Sequence, residues 1–227
     1  MTEPHGIGEP AVTAARMSGP DGLVIATDLS AEMLAIGRKR AARLKIKDVE
    51  VSRMDAEAVD QMEHHFDAIL CRWGLFFLPD LKKTLEKMHR RLVLGGRLVA
   101  AAWDKPKKAP ALSLPMEVVG EILKRQPPSG PGVFSLSDPA ALKKIFTEAG
   151  FAGVQNDEFV ITAEFASGAE FVQFTKNISA LVKILMANQQ QEKQDEIWNA
   201  VTYAAGRFAG PAGRISMPLT SIIAVAQ

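Results

Sequence analysis

The chain has 227 residues, of which 47% are hydrophobic and 23% are charged, a composition typical of one soluble globular domain. Its 27 basic and 26 acidic residues leave a formal net charge of +1, which gives no electrostatic basis for binding nucleic acid or an anionic membrane surface. One cysteine, Cys71, excludes an internal disulfide, and the four histidines lack ligand-type spacing, so we expect no metal. No apolar run reaches the roughly 18 residues of a membrane span and no signal peptide is evident, which predicts a cytoplasmic protein.

Helix and strand patterns alternate in the first half of the chain. A helix over residues 9–18 precedes a short apolar run, 23–28, with the composition of a buried strand, and Ser30 can cap the next helix. Further strands are predicted over 49–55, 66–73 and 97–103, and a helix over 80–92 that ends at Gly95 and Gly96. This alternation predicts an α/β fold of the Rossmann-like type, with a mostly parallel sheet and helices on both faces.

The second half departs from the alternation. A Pro- and Lys-rich loop over 104–115 is expected to leave the sheet, and a helix over 137–150 and a strand reaching about Phe165 then restore order. Two helices joined by a polar linker are predicted within 168–209, and a closing antiparallel strand with a bend at Pro218 follows. We expect a single domain, 1–227, whose parts are a cofactor-binding half (1–104), the rest of the sheet (105–167 and 210–227) and a helical cap (168–209).

The segment "PHGIGEPAVTAAR", residues 4–16, contains a glycine pair that opens a helix. Gly6 and Gly8 would let a polar ligand approach the backbone at the start of the helix, where free N–H groups and the helix dipole favour it. Asp28 lies 20 residues beyond Gly8 at the end of the next strand, where an acid can accept two ribose hydroxyls. These features fit a nicotinamide cofactor as well as S-adenosylmethionine.

Downstream motifs favour S-adenosylmethionine over a nicotinamide cofactor. The segments "MDAEAVD", "FDAILCRWGLFFLPD" and "RRLVLGGRLVAAAW" follow the glycine segment in order, with spacing to match. Together they resemble the motifs of a class I S-adenosylmethionine-dependent methyltransferase of the type 11, ubiquinone/menaquinone-methyltransferase-like group. The resemblance is close over residues 5–104 and looser beyond them.

The resemblance implies a set of cofactor-binding residues. Gly6 and Gly8 would carry the methionine end of S-adenosylmethionine, Asp28 would bind the ribose, and Asp55 the adenine amino group. The others implied are Leu29 and Met33 against the adenosine, the Ala56 N–H at a ring nitrogen, and Cys71, Arg72 and Trp73 around the sulfonium.

The chain departs from the family pattern at its start. The family's first motif begins with an apolar strand that ends in an acidic residue. In this sequence Thr2 occupies the position of that acidic residue, and the strand is absent. The resemblance is therefore to a family member that lacks the N-terminal helix region and the first strand. A truncated, non-catalytic relative of the family remains an alternative function. An NAD(P)-dependent oxidoreductase is a further alternative, disfavoured because the only tyrosine, Tyr203, has no lysine four residues on.

Methyl transfer from a sulfonium requires no protonation of the leaving group, so we assign no catalytic base. Trp103 and Asp104, which end a strand at the edge where open α/β sheets bind ligands, are the candidates for binding a small-molecule methyl acceptor. The helices of 168–209, with Phe171, Phe174 and Trp198, would either form an apolar cap over a lipophilic acceptor or pack as core or as a homodimer contact.

Overall fold

A computed structural model of the chain describes residues 8–19, 21–125 and 132–227, with Ala180 described in its backbone alone. Two compact units make up the fold. The first comprises the residues up to Ala101 together with Lys143–Gln155 and Ala224–Gln227. The second comprises Ala102–Leu142 and Asn156–Ile223. The single domain that the sequence predicts remains a prediction.

Helices and strands alternate through the first 103 residues, as predicted. In chain order the elements are α1 (Ala11–Met17), β1 (Val24–Asp28), α2 (Ala31–Arg43), β2 (Val49–Arg53), β3 (Phe66–Arg72), α3 (Leu81–Arg90) and β4 (Leu92–Trp103). They continue with α4 (Pro110–Leu123), α5 (Pro139–Glu148), β5 (Gln155–Phe165), α6 (Gly168–Ile178), α7 (Ala180–Ala187), α8 (Gln191–Ala205) and β6 (Ile215–Ala226). Within the described ranges, none of these helices has the length and apolar character needed to cross a membrane.

The strands form two sheets. β1 and β2 pair in parallel, with Val24 opposite Val49 and Asp28 opposite Arg53. The other sheet has the order β3-β4-β6-β5, and its β3 and β4 are also parallel. The last strand is antiparallel, and the fold is the Rossmann-like α/β architecture that the sequence predicts.

The core of the first unit lies where α3 and α5 contribute apolar side chains. Leu85 of α3 and Phe146 of α5 are 0% exposed, and Leu98 of β4 is equally buried. The Phe146 and Phe151 rings lie 5.6 Å apart, and the His89 ring packs edge-on against Phe151 at 4.9 Å. The helical period read from the sequence thus places Leu85 in the core.

The second unit has its own core, which the helices α4, α6 and α8 build. Val119, Phe171 and Ile197 are each 0% exposed. Phe165, at the end of β5, packs against the rings of Phe171 at 5.2 Å and Phe174 at 5.1 Å. These aromatic side chains therefore stabilise the unit itself.

The prediction of a loop over 104–115 is wrong for the second half of that range. A short 3₁₀ helix covers Pro106–Lys108, and α4 begins at Pro110, a residue suited to the first helical position. Pro115 lies inside α4, where it removes one backbone hydrogen bond, but the apolar side chains around it are buried. Burial therefore outweighs the local preference of the proline.

Two predicted boundaries are also wrong. The helix α3 ends at Arg90, and β4 already begins at Leu92, so Gly95 and Gly96 lie inside a strand whose pairing with β3 shifts register. The polar stretch predicted to link two cap helices is mostly the first part of α8. Its Gln, Glu and Lys residues favour helix, and Gln191 donates to Asp195 across one turn at 2.8 Å.

Candidate cofactor-binding site

The glycine loop leads directly into α1. Gly6 lies outside the described residues, whereas Gly8 has a φ of +94°, which an L side chain rarely adopts. A Cβ at Gly8 would meet the Cα of Gly37 in α2 at 3.5 Å, and the Gly8 carbonyl accepts a hydrogen bond from the Val12 N–H at 2.9 Å. Glycine at this position therefore allows the turn, whereas the 3.5 Å distances to α2 are ordinary van der Waals contacts.

Glu9 is a member of the loop that the sequence reasoning missed. Its carboxylate accepts from the Thr13 N–H at 3.1 Å and forms an ion pair with Arg40 of α2 at 2.9 Å. An acid just before a helix is a recognisable signal, because it compensates the free N–H groups and the dipole. The sequence predicts free N–H groups at the start of this helix, but those of Val12 and Thr13 are bound within the chain.

Asp28 ends β1 with an exposed carboxylate. Its Oδ1 accepts from the Ser30 N–H at 2.8 Å, which fixes the side chain at the start of α2. Among the described residues, no hydrogen bond engages Oδ2. Ser30 in turn caps α2 by accepting from the Met33 N–H, as predicted. One carboxylate oxygen is thus held by the chain, and the residue is exposed.

Asp55 occupies the equivalent place after β2. Its Oδ1 accepts from the Glu57 N–H at 2.9 Å and so caps the 3₁₀ helix Ala56–Gln61. The Met54 N–H donates to the Asp28 carbonyl at 3.2 Å, and Arg53 Nε donates to the Leu29 carbonyl at 3.0 Å. These bonds hold the ends of β1 and β2 together, and with them the two acids.

Two exposed apolar side chains follow Asp28. Leu29 is 59% exposed and Met33 is 41% exposed, although both are large hydrophobic residues. Ala56, after Asp55, is half-buried. The three residues predicted to contact the adenosine therefore lie beside the two acids in sequence and remain accessible.

Cys71 stands near the end of β3. Burial raises the pKa of its thiol to about 11, and the backbone N–H groups of Gly74 and Leu75 offset part of that rise. A thiol with so high a pKa is protonated near neutral pH, and only the thiolate is a good nucleophile. Cys71 can therefore line a site, but it is not an activated nucleophile.

Arg72 and Trp73 end β3 close to the Glu9 loop. The Arg72 guanidinium lies 4.8 Å from the centre of the Trp73 ring. Burial lowers the pKa of Arg72, the charge of Glu9 opposes that change, and the charge of Arg40 adds to it. Trp73 has a φ of +56°, a conformation uncommon for a bulky side chain and often found at functional sites. The structure thus brings the end of β3 into the electrostatic environment of Glu9 and Arg40.

Trp103 and Asp104 belong to the second unit and are buried, at 8% and 2% exposure. Asp104 Oδ1 accepts from the Lys105 N–H at 2.6 Å, and Oδ2 lies 3.0 Å from Lys108 Nζ. Lys108 also pairs with Glu158, and the two acids raise its pKa. These contacts give Asp104 a structural role within its unit, and the predicted role toward an acceptor remains a prediction.

The predicted helical cap consists of three helices, α6 to α8, rather than two. Trp198 of α8 lies under Lys176, whose Nζ is 4.9 Å from the ring centre, and both line a cavity of about 350 Å³. Phe171 and Phe174 pack on Phe165 as described above. Core packing is thus the observed role of the two phenylalanines, while the cap over an acceptor and the homodimer contact remain predictions.

The sequence is similar to that of curated methyltransferases. Residues 5–96 match the family described as "Methyltransferase domain". The chain is 32% identical over 162 residues to the ubiquinone/menaquinone biosynthesis C-methyltransferase UbiE of Serratia proteamaculans. This alignment covers 66% of this chain and 64% of the relative. It is 35% identical over 103 residues to the corresponding protein of Edwardsiella ictaluri, with 45% of this chain and 41% of the relative covered. The chain therefore spans less than two thirds of these relatives.

Solved structures share the fold at low sequence identity. The YcgJ protein of Bacillus subtilis superposes with a TM-score of 0.58 at 18% identity, covering 94% of this chain and 86% of its own. The [4+2]-cyclase SpnF superposes with a TM-score of 0.52 at 15% identity, covering 97% and 71%. Both likenesses concern the fold alone, and the name of SpnF shows that the fold is not confined to one reaction.

A doubly wound α/β fold with a glycine loop and strand-end acids defines a class of nucleoside-cofactor proteins. The sequence matches are to methyltransferases, namely a methyltransferase domain over residues 5–96 and curated C-methyltransferases, and they favour S-adenosylmethionine over a nicotinamide cofactor.

Proposed function

We propose that this chain transfers a methyl group from S-adenosylmethionine to a small, lipophilic acceptor. The observation that carries the proposal is the pair Asp28 and Asp55. Each follows a strand of one parallel pair, and each has one carboxylate oxygen held by the backbone of its own turn. Because ligands of open α/β sheets bind beyond the carboxyl ends of the strands, two prepared acceptors there suit the hydroxyls and amino group of an adenosine.

The residues around the pair fit the rest of such a cofactor. The exposed apolar side chains of Leu29 and Met33 offer contact area to a purine. S-adenosylmethionine supplies an activated methyl group when bound. The chain's own contribution is then to bind, align and exclude water, which can provide much of the rate of a bimolecular reaction. The protonated thiol of Cys71 fits a site wall and not a base.

Calorimetric titration with S-adenosylmethionine, S-adenosylhomocysteine and NADH tests the cofactor assignment. We expect the two sulfur compounds to bind and NADH not to bind. The variant Asp28→Asn keeps an oxygen for the Ser30 N–H but loses the charged acceptor, so we expect affinity to fall at least tenfold, which corresponds to about 1.4 kcal/mol. Asp48→Asn is the matched control, because Asp48 is an exposed acid at the opposite end of β2. Equal affinities for the two variants would contradict the assignment.

The lipophilic acceptor is supported by the relatives, whose names place them in ubiquinone and menaquinone biosynthesis as C-methyltransferases. A reduced naphthoquinone with an isoprenoid tail is therefore the first acceptor to test, with glycine as the polar comparison. We expect transfer of a radiolabelled methyl group to the quinol and not to the amine. Label on glycine alone would reject the lipophilic acceptor while leaving the cofactor assignment intact.

A further inference from the structure

The turn that carries Asp55 depends on a neighbouring helix for its position. Asp55 caps the 3₁₀ helix Ala56–Gln61, which has six residues. The hydrogen bonds of a 3₁₀ helix have poorer geometry than those of an α-helix, so such a short element has little stability of its own. Val59 within it is 7% exposed, and its burial anchors the turn by apolar packing. Polar contacts with α3 add to this anchor.

Two cations of the α3 segment bind the carbonyl groups of the turn. Lys87 Nζ donates to the Glu57 carbonyl at 2.5 Å and lies 3.3 Å from Oδ1 of Asp60. The guanidinium of Arg91, the residue that caps the end of α3, donates to the Asp60 carbonyl. Carbonyls in the last turn of a helix lack partners within the helix, and the helix dipole favours cations there. These contacts therefore fix the 3₁₀ helix against α3.

A single residue links Lys87 to Asp55. The Glu57 N–H donates to Asp55 Oδ1 at 2.9 Å, and the Glu57 carbonyl accepts from Lys87 Nζ. The backbone donor of Glu57 thus orients the Asp55 carboxylate, while its backbone acceptor is held by the lysine. Linked hydrogen bonds of this kind support one another. A displacement of Glu57 would therefore turn the carboxylate of Asp55.

Lys87 is held more firmly than an ordinary surface lysine. Its side chain is 19% exposed, whereas Lys82 of the same helix is exposed. Ordering a lysine side chain costs much rotamer entropy, which the contacts that it makes must offset. Asp60 Oδ1 is buried and has no hydrogen-bond partner among the described residues, so the charge of Lys87 compensates it. The lysine and the turn therefore hold each other in place.

We propose that Lys87 is a positioning residue for the nucleobase of the cofactor. Through Glu57 it sets the orientation in which Asp55 accepts from the amino group of adenine. The inference rests on the proposed function, which supplies the adenosine. Removal of the Lys87 charge makes the potential at Asp55 more negative, which by itself favours a donor. A loss of adenine preference on removal of that charge therefore reports on geometry and not on electrostatic attraction.

Calorimetric titration of the full chain with S-adenosylhomocysteine and S-inosylhomocysteine tests the proposal. The second compound carries an oxygen in place of the adenine amino group, so a site that accepts from this group rejects it. We expect the wild type to prefer S-adenosylhomocysteine at least tenfold, and Lys87→Met to reduce this preference to about threefold or less. Lys87→Arg keeps a charged donor and should restore most of the preference. Lys82→Met, at the exposed lysine of the same helix, is the matched control and should leave it unchanged.

Asp60→Asn tests the same contacts from the other side. It keeps an oxygen near Lys87 but removes the charge that holds the ammonium group. We therefore expect the preference for S-adenosylhomocysteine to fall, as in Lys87→Met. Circular dichroism checks that each variant is folded, and Asp60→Asn decides the test should Lys87→Met not fold.

Equal weakening of both compounds in the folded variants would overturn the proposal, because Lys87 would then support the unit without orienting Asp55. An unchanged preference in the variants would overturn it as well, and in both cases the proposed function stands. Equal binding of the two compounds by the wild type would mean that Asp55 does not read the amino group, which rejects the inference and leaves the cofactor assignment intact. Failure of the wild type to bind either compound would reject the proposed function, and the inference with it.

Discussion

At the scale of single residues, hydrogen bonds within the chain hold the side chains of the proposed cofactor site in place. Asp28 and Asp55 each accept from an N–H two residues on, and Glu9 is shared between Thr13 and Arg40. An acid held in this way loses less rotamer freedom on binding, which favours affinity. The acids at strand ends are therefore structural caps, and in the proposed function they would also act as prepared acceptors.

The Cys71 thiol gives a prediction for pH. Its pKa of about 11 lies above the ordinary 9.0, so its contribution to stability is fully present below about pH 9 and is lost as the pH rises toward 11. At pH 8 we expect iodoacetamide to alkylate the folded protein about 100-fold more slowly than the urea-unfolded chain, because fewer thiolates are present. Mass spectrometry measures the fraction of alkylated protein, and a single alkylated product is expected because the chain has one cysteine. Comparable rates in the two states would contradict the buried thiol.

How far the sequence predicts the site can be judged residue by residue. Asp28 and Ser30 follow from spacing and capping chemistry, and the structure confirms the cap. Glu9 was overlooked because its second partner, Arg40, is 31 positions away and only the fold brings the two together. The left-handed conformation of Trp73 has no sequence signal at all, because a bulky residue is not expected there.

At the scale of elements, local rules succeed where helix starts carry polar caps. The stretch from Ser167 to Glu170 forms a variant of the capping box: the Ser167 hydroxyl accepts from the Glu170 N–H at 3.2 Å, and the Glu170 carboxylate accepts from the Ala166 N–H, one residue before the N-cap. The same rules fail for α4, whose two prolines predict a loop, because burial of its apolar face overrides local preference. Boundaries between elements follow from packing more than from composition.

The capping box of α6 can be tested by substitution. We expect Ser167→Ala to lower the free energy of unfolding by about 1 kcal/mol, because the Glu170 N–H loses its acceptor at the start of the helix. Ser167→Asp keeps an acceptor and should leave stability nearly unchanged. Urea unfolding followed by circular dichroism measures both. Equal losses for the two variants would mean that the hydroxyl contributes through packing and not through the cap.

At the scale of the whole molecule, the chain forms two compact units with separate cores. Leu85 of the first unit and Ile197 of the second are both 0% exposed. Truncation of either to alanine removes buried apolar volume and leaves a cavity, which costs about 2 to 5 kcal/mol.

Hydrogen exchange can assign each loss to its unit. We expect Leu85→Ala to speed exchange at the amides of α3, and Ile197→Ala at those of α6 and α8, which contact one another. Leu94→Ala is the control, since Leu94 is fully exposed and its truncation should change neither. Uniform acceleration throughout the chain by either core variant would mean that the molecule opens only as a whole.

The first unit draws on three separate parts of the chain, the last of which is Ala224–Gln227. Ala152 and Gln227 exchange backbone hydrogen bonds, so the unit is incomplete until Gln227 has been synthesised. At ordinary rates of translation, the interval between residue 101 and that point is on the order of ten seconds. During this time the nascent chain carries unpaired strands outside the ribosome, and chaperones have their greatest opportunity to bind it.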